Sequence, residues 1–450
     1  HKTHRTPPMT SSTPETQPSQ AGKAQPGELF VLSLRSVDCF HATLGDVSDV
    51  ERAAISPERN MGLLLDQLET TLTAVKLSMR DVFFVQLCIR DMSKFASMNT
   101  VYKERFATDK PASRACVQPS WGSSYGSVQL HCLASRVPRS MLHVQSISEW
   151  APACIGPYSQ ASTVDGLVFL AGQIGLDPPT MKLVPLERTP ATSVVTAQSL
   201  QTIRNLHRVL DAVSSSLSHV VRFSCYVSQW SHVAQLQNCL AEYWREHSAC
   251  VDEERESPPS IPLPLIQYIP VKVLPLQAEV EIVTVARTKS QAALSGAASQ
   301  APRSFRAEAS DSTFSYELDV LSFYEVTDGE VQKLGETAGT AHSLPAPAEI
   351  FSVNQTLSPT FFANVRVLKP SGEAAPPTPG QVAETLRSVQ ERLATMTANP
   401  SYQVGLCSCC YARELDQEES LTKLRSFSQN QTAISDERFP YLFTFELFGN

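Results

Sequence analysis

The sequence lacks long apolar runs, an excess of basic charge and any recognisable phosphate-binding loop. No apolar run approaches the roughly 18 residues that a membrane-spanning helix requires, so no membrane contact is expected. Lys and Arg number 37 against 45 Asp and Glu, for a net charge of −8, whereas nucleic-acid binding needs clustered basic charge. There is no P-loop or Rossmann-type glycine motif, and no Ser-His-Asp order stands out.

The cysteines number 11, an odd count, and most are scattered. With no signal peptide visible, they favour free thiols and a cytoplasmic protein over a disulfide framework. Cys407, Cys409 and Cys410 form one cluster, and thiols two residues apart on a strand share a face. No second thiol pair or His pair completes a four-ligand site, so buried apolar cysteines are favoured and no metal site is predicted.

The length of 450 residues suggests about three domains. Because the chain begins with His1 rather than Met, we expect a piece of a longer protein. The first 26 residues are rich in Thr, Ser, Pro and Gln and are predicted to form a disordered linker. The remaining predicted divisions are a first module at 27–145, a second at 146–287, a linker at 288–312 and a third module at 313–450.

Two segments share the predicted order helix, strand, helix. The first has these elements at 60–75, 82–89 and 92–106. The second has them at 197–213, 220–227 and 233–244. The second set follows the first by about 138 residues, which indicates an internal repeat. Further strands are predicted at 29–35, 114–118, 128–134 and 278–286.

The stretch from residue 151 to 178 carries the most specific pattern. It contains Ile155-Gly-Pro-Tyr158-Ser-Gln160, then an Asp165-Gly166 hairpin turn, then Leu-Val-Phe-Leu-Ala-Gly172-Gln173. This stretch resembles the start of the RidA family, also called YjgF or endoribonuclease L-PSP, whose pattern is close to IGPYSQA followed by GLVFVSGQIPLDP. The resemblance implies an α+β fold of chorismate-mutase-like modules, each a β-sheet with two helices on one face. It also implies assembly in threes, with pockets between neighbours.

The last third of the chain carries no motif of this family. Its predicted strands lie at 314–326, 360–368, 402–413 and 441–448, and its predicted helices at 382–396 and 418–427. The order is that of the two modules before it. We therefore predict a divergent third module, and with it an intrachain pseudo-trimer.

The family resemblance also implies a site. In active members it comprises a PARS-type segment, an Asn on the second helix and a Glu on the last strand in a VEIEAVA-type run. In the first module these positions fall on Arg114, Asn99 and His131. Arg grips a substrate carboxylate bidentately, and the Glu is thought to hold the water that attacks an imine carbon. The alternatives are a structural ion pair for Arg114 and a histidine that fills the sheet edge for His131.

The second module carries Ile261 and Val283 at the Arg and Glu positions, so we expect no working pocket of its own. Tyr158 matches a family Tyr that faces a neighbour's pocket, which predicts a mixed site of Arg114 with Tyr158. In the third region, Glu446 falls at the Glu position if 443–449 is laid on the VEIEAVA pattern.

Tandem modules after a polar linker, with Pro111-Ala-Ser-Arg-Ala-Cys-Val117, resemble the C-terminal half of eukaryotic diphthine–ammonia ligases over about residues 28 to 287. In that family an ATP-pyrophosphatase domain with an SGGKDS-type loop uses ATP and Mg²⁺ to amidate diphthine on elongation factor 2. That loop is absent from this sequence. The resemblance therefore implies a non-catalytic accessory or regulatory region without a cofactor, whose partners would be elongation factor 2 and a small carboxylate or imine.

The alternative is a free-standing enamine/imine deaminase with a single pocket at Arg114. An endoribonuclease role, implied by the older family name, is disfavoured by the acidic net charge. If three modules close into a ring, the chain is expected to be a monomer, and otherwise a homo-oligomer.

Overall fold

The computed structural model describes residues 55–74, 76–106, 109–119, 127–184, 193–247 and 264–290 with their side chains, and residue 248 by its backbone. It also describes the backbone of strands at 28–35, 303–308, 315–322, 351–354, 359–367, 403–412, 430–434 and 441–448. The predicted linker at 1–26 and the predicted helices at 382–396 and 418–427 lie outside the described residues, as do the side chains of the Cys407–Cys410 cluster.

The elements fall into three groups along the chain. The first group is β1 (Glu28–Arg35), α1 (Pro57–Ala74), β2 (Val82–Ile89), α2 (Phe95–Phe106), β3 (Ser113–Val117) and β4 (Val128–Ser135). The second group is β5 (Arg139–Leu142), β6 (Ala161–Val164), β7 (Leu167–Leu170), β8 (Gln173–Ile174), β9 (Leu176–Asp177), β10 (Lys182–Leu183), α3 (Val194–Ala212), β11 (Val220–Val227), α4 (Val233–Ser248), β12 (Leu265–Pro270) and β13 (Val280–Arg287). The third group is β14 (Arg303–Glu308), β15 (Ser315–Ser322), β16 (Phe351–Asn354), β17 (Pro359–Val367), β18 (Gln403–Ala412), β19 (Asn430–Ile434) and β20 (Tyr441–Phe448).

The strand order repeats in three sheets. The orders are β3-β2-β4-β1-β16, β12-β11-β13-β7-β6-β5 and β19-β18-β20-β17-β15-β14. Each sheet has one parallel pair at one edge, and its remaining pairs are antiparallel. This confirms the predicted α+β fold of repeated modules, and the third sheet shares the order of the first two. Closure of the three modules into a ring stays a prediction.

The helices bury one stripe against their own sheet. In α1 the buried residues recur at helical spacing, at Met61, Leu64, Leu65, Leu68 and Leu72. The helix α3 begins after Ser193, whose side chain accepts a hydrogen bond from the backbone N–H of Thr196 at 3.1 Å. Strands β2, β4, β11 and β13 are buried along their whole length, which explains their near-continuous apolar sequences. Among the residues that the structure describes, no helix is long and apolar enough to cross a membrane.

The faces of the first two sheets that point away from the helices share one core. Phe83 and Phe84 of β2 pack against Phe169 of β7, with ring centroids 5.1 and 6.1 Å apart. Across the same interface the Tyr226 hydroxyl donates to Gln86 Oε1 at 3.2 Å. The two modules are therefore joined by packing that continues through both of them, and a site at their edge is held by both.

Three strands depart from the predicted divisions. Strand β5 falls within the predicted first module but pairs with β6 in the second sheet. Strand β16 comes from the third region and pairs with β1 of the first sheet. Strand β14 lies in the predicted linker at 288–312 and pairs with β15. All three are sheet edges, where a strand needs only one partner and little apolar sequence, so composition gives no signal for them.

Candidate functional site

A small cavity lies where β3 of the first module meets the second module. Its volume is about 40 Å³, and its walls include Phe95 and Arg114 from the first module and Tyr158, Gln173 and Glu281 from the second. One ordered water occupies a cavity of roughly 10–15 Å³ on this measure, so the space suits a ligand of a few non-hydrogen atoms.

Arg114 is a buried cation held by aromatic rings and an amide. Its side chain is on β3 and is 5% exposed. The Nη1 group donates to Asn99 Oδ1 of α2 at 2.8 Å. The guanidinium carbon lies 4.6 Å from the Tyr102 ring centroid, 5.4 Å from that of Tyr158 and 5.6 Å from that of Phe95. Among the described residues no carboxylate is within salt-bridge distance of it, so the cation is available to an anionic ligand.

Hydrogen bonds to backbone carbonyl groups of the Arg114 segment dock the second module onto it. The Ser159 N–H donates to Ala112 O at 3.1 Å, and the Ser159 hydroxyl donates to Pro111 O at 2.7 Å. On the other side, the Gly172 N–H donates to Arg114 O at 3.2 Å. These bonds place Tyr158 beside the guanidinium, so the mixed geometry of Arg114 with Tyr158 is a direct product of the module interface.

Glu281 of β13 supplies a carboxyl group to the same cavity. It is 2% exposed, and its Oε2 has no hydrogen-bond partner among the described residues. Burial raises the pKa of Glu281 to about 8, although the Cys116 backbone N–H and the Arg114 charge both act to lower it. Gly172 makes room for this carboxyl, since a Cβ at residue 172 would lie 1.7 Å from Glu281 Oε1. The site therefore holds a carboxyl group that is largely protonated at neutral pH.

The structure brings three of the predicted residues together and leaves one outside. Asn99, Arg114 and Tyr158 are in contact around the guanidinium. His131 is buried on β4, opposite Gln86 and Ser33, and does not line the cavity. Glu281 was missed.

The register of the sheets explains both the missed residue and the misplaced one. Glu281 is the second residue of β13 and lies opposite Tyr226, and Gln129 is the second residue of β4 and lies opposite Cys88. Gln129, not His131, therefore stands at the position of Glu281. The sequence alignment was displaced by two residues, and a two-residue displacement keeps the same face of a strand, so the alternation pattern gives no warning.

The same comparison corrects the position of the missing arginine in the second module. Val117 lies opposite Cys88 on β2, as Ile269 lies opposite Tyr226 on β11. Counting back three residues from each gives Arg114 in the first module and Ile266 in the second. Ile261, named from the sequence, lies outside the described residues. An apolar residue stands at the arginine position under either alignment.

Glu446 of the third region lies on β20. Its backbone is opposite Leu406 and Phe362, and its side chain lies outside the described residues.

The two cysteines near the cavity are protonated thiols. Burial raises the pKa of Cys116 to about 12 and that of Cys154 to about 11, so neither is a nucleophilic thiolate at neutral pH. Among the described residues no group of three or more His, Cys, Asp or Glu side chains is arranged to hold a metal ion. Proton transfer by Glu281 is the chemistry that the cavity residues themselves support.

A larger groove of about 670 Å³ lies between α3 and α4, away from Arg114. Arg204 and Arg208 of α3 face Glu242 and Glu246 of α4 across it. Its charges are of both signs and its arginines are exposed, so it offers neither the burial nor the fixed cation of the small cavity.

The family model for endoribonuclease L-PSP matches residues 49–134 and 148–288, just over half of the chain. The chain belongs to the endoribonuclease L-PSP family. A RutC family protein of Aquifex aeolicus is 31% identical over 136 residues, which are 30% of this chain and 92% of that protein. The two matched segments contain every residue of the cavity named above, so the site lies wholly within the L-PSP part of the chain.

Two yeast proteins also match this chain. The diphthine–ammonia ligase of Schizosaccharomyces pombe is 41% identical over 119 residues, 26% of this chain and 20% of that protein. The diphthine–ammonia ligase of Saccharomyces cerevisiae is 27% identical over 229 residues, 45% of this chain and 32% of that protein. The chain thus spans between a fifth and a third of the length of these two ligases.

Proposed function

We propose that the cavity between the first two modules binds a small imine or enamine carboxylate and hydrolyses it to the 2-oxo acid and ammonia. The observation that carries this proposal is the meeting of Arg114 with Glu281, a buried cation beside a carboxyl group whose pKa burial raises to about 8. Arg114 would grip the substrate carboxylate, and the 40 Å³ volume favours a three-carbon substrate. Among RidA-type substrates, 2-aminoacrylate and its imine tautomer have this size.

The chemistry needs one group that gives and takes protons in turn. Protonated Glu281 donates to the imine nitrogen, and its carboxylate then takes a proton from water as the water oxygen bonds to the imine carbon. The carboxyl group next protonates the amine of the resulting carbinolamine. The C–N bond breaks, ammonia leaves, and the hydroxyl proton returns to Glu281 as the carbonyl forms. One water is consumed and the enzyme is regenerated.

The test is the hydrolysis of freshly generated 2-aminoacrylate, followed by ammonia release. We expect a rate above the uncatalysed one for the wild type, and a loss of about 100-fold or more for Arg114→Ala and for Glu281→Gln. Arg204→Ala is the matched control, since Arg204 is an exposed arginine of the larger groove and should leave the rate unchanged. A wild-type rate equal to the uncatalysed rate would leave the region non-catalytic, as the sequence first suggested.

We further propose that this chain is the L-PSP region of a diphthine–ammonia ligase. The 41% identity to the Schizosaccharomyces pombe ligase supports this proposal. Amidation of diphthine with ATP and Mg²⁺, and contact with elongation factor 2 in the cytoplasm, would then belong to the whole protein. Reading the transcript upstream of the codon for His1 tests it, because a ligase requires an SGGKDS-type loop there. A transcript that encodes no such loop would refute the ligase assignment and leave the hydrolysis proposal standing.

A further inference from the structure

Two glutamines from the two sequence motifs meet beside the cavity. Gln160 ends the first motif and Gln173 follows Gly172 in the second, and each is 2% exposed and lines the cavity. Gln173 Nε2 donates to Gln160 Oε1 at 2.6 Å and to Ala171 O at 3.2 Å. Gln160 Nε2 donates in turn to Pro152 O at 2.8 Å. The proposed hydrolysis does not use either side chain.

The direction of this hydrogen-bond chain is dictated by the backbone. The carbonyl oxygens of Pro152 and Ala171 can only accept. Gln160 must therefore turn its NH₂ group to Pro152, which leaves its oxygen facing Gln173. Gln173 must turn its NH₂ group to that oxygen and to Ala171. Rotating either amide by half a turn would bring oxygen against oxygen at a buried position, at a cost of roughly 1–3 kcal/mol for each unsatisfied group.

The consequence is a fixed acceptor at the cavity wall. Both hydrogens of the Gln173 amide are committed, so Oε1 is the polar atom that Gln173 has left for a ligand. We propose that Gln173 is a specificity-determining residue whose Oε1 accepts a hydrogen bond from the substrate nitrogen. This inference rests on the proposed hydrolysis. A substrate imine or enamine carries N–H and satisfies Oε1, whereas the oxo product presents a second oxygen to it and is repelled.

Alanine and pyruvate form a matched pair of ligands for the test. Each has six non-hydrogen atoms and a carboxylate for Arg114, and they differ in bearing N–H donors or a carbonyl oxygen. Isothermal titration calorimetry on the whole chain gives the ratio of their dissociation constants. We expect the wild type to bind alanine more tightly than pyruvate, and Gln173→Met to reduce this preference by about tenfold. Weaker binding of alanine than of pyruvate to the wild type would overturn the inference without any variant.

Gln160→Met separates recognition from general damage. It removes the acceptor that orients Gln173 while leaving Gln173 in place, so the preference for alanine should fall here too. Equal losses of affinity for both ligands in the two variants, with the ratio preserved, would show a merely structural role and overturn the inference. The 2-aminoacrylate assay distinguishes the two proposals. If the wild type turns over 2-aminoacrylate but the alanine-to-pyruvate affinity ratio is unchanged in the two glutamine variants, only the role of Gln173 is refuted. If the wild type neither turns over 2-aminoacrylate nor binds alanine or pyruvate, the proposed hydrolysis and the role of Gln173 are both refuted.

Discussion

Replacing Glu281 by Gln should change how the stability of the protein depends on pH. Glu281 has an ordinary pKa of 4.5 and, through burial, about 8 in the folded chain. Between these values the folded state binds a proton that the unfolded state lacks, so the free energy of unfolding falls as pH rises through this window. At about 1.4 kcal/mol per pH unit, the carboxyl should cost the wild type about 5 kcal/mol at pH 9 relative to pH 4.

The glutamine variant removes this dependence, because an amide does not titrate. At pH 4 both side chains are neutral, so the difference in free energy of unfolding there reports packing alone and serves as the internal control. From pH 4 to pH 9 the variant should gain up to about 5 kcal/mol relative to the wild type. Urea unfolding at each pH, followed by tryptophan fluorescence, measures it. Trp150, Trp230 and Trp244 lie in the second module with Glu281.

The same variant should lose hydrolysis of 2-aminoacrylate while it gains alkaline stability, because the amide cannot exchange a proton with water or substrate. A difference in stability that stays constant within about 0.5 kcal/mol from pH 4 to pH 9 would refute the reasoning. It would mean that Glu281 titrates alike in the folded and unfolded chain and is not a neutral acid in the cavity.

Three further predictions concern the space beside Glu281, the number of binding sites and the oligomeric state. Gly172→Ala should lower the hydrolysis rate about 100-fold, since its Cβ would lie 1.7 Å from Glu281 Oε1, whereas at Gly62 the nearest atom is 3.9 Å away and Gly62→Ala should leave the rate unchanged. Calorimetric titration with a tight-binding carboxylate should give one site per chain, and three sites would contradict this. Light scattering should report a monomer if the three modules close on themselves, and a trimer would count against the intrachain ring.

Much of the fold could be predicted from local pattern. The buried strands at 82–89 and 220–227 were located to the residue, because each is a mostly apolar segment rich in β-branched and aromatic residues and too short for a typical helix. The hairpin at Asp165-Gly166 was predicted correctly, and both residues have the positive φ, 46° and 79°, that its tight turn requires. The edge strands β5, β14 and β16 could not be placed in their sheets, since short edge strands carry little apolar sequence, and β16 pairs with β1 of the first module.

The site residues also divide into those that could be predicted from the sequence and one that was not. Arg114, Asn99 and Tyr158 were found because each sits in a motif with an unusual residue at a fixed place. Glu281 was overlooked because it lies in Glu279-Val-Glu281-Ile-Val, where the choice of which position matches the family carboxylate depends on register. Its burial beside an arginine from another module is a non-local fact. A fully buried glutamate on a strand is rare. A glutamate within an otherwise apolar strand sequence was therefore the signal that could have pointed to Glu281.

The first two modules contribute different residues to the site. A repeat of identical modules would place an arginine and a glutamate at every interface, but this chain keeps Arg114 in the first module and Glu281 in the second. Ile266 and Gln129 stand at the complementary positions. Burial raises the pKa of Glu281 to about 8, so it is held as a neutral acid beside the cation that would bind the carboxylate of the proposed substrate. Gln129 and Ile266 carry no ionisable group, so among the described residues the divergence of the first two modules places the cation and the carboxyl group together in a single cavity.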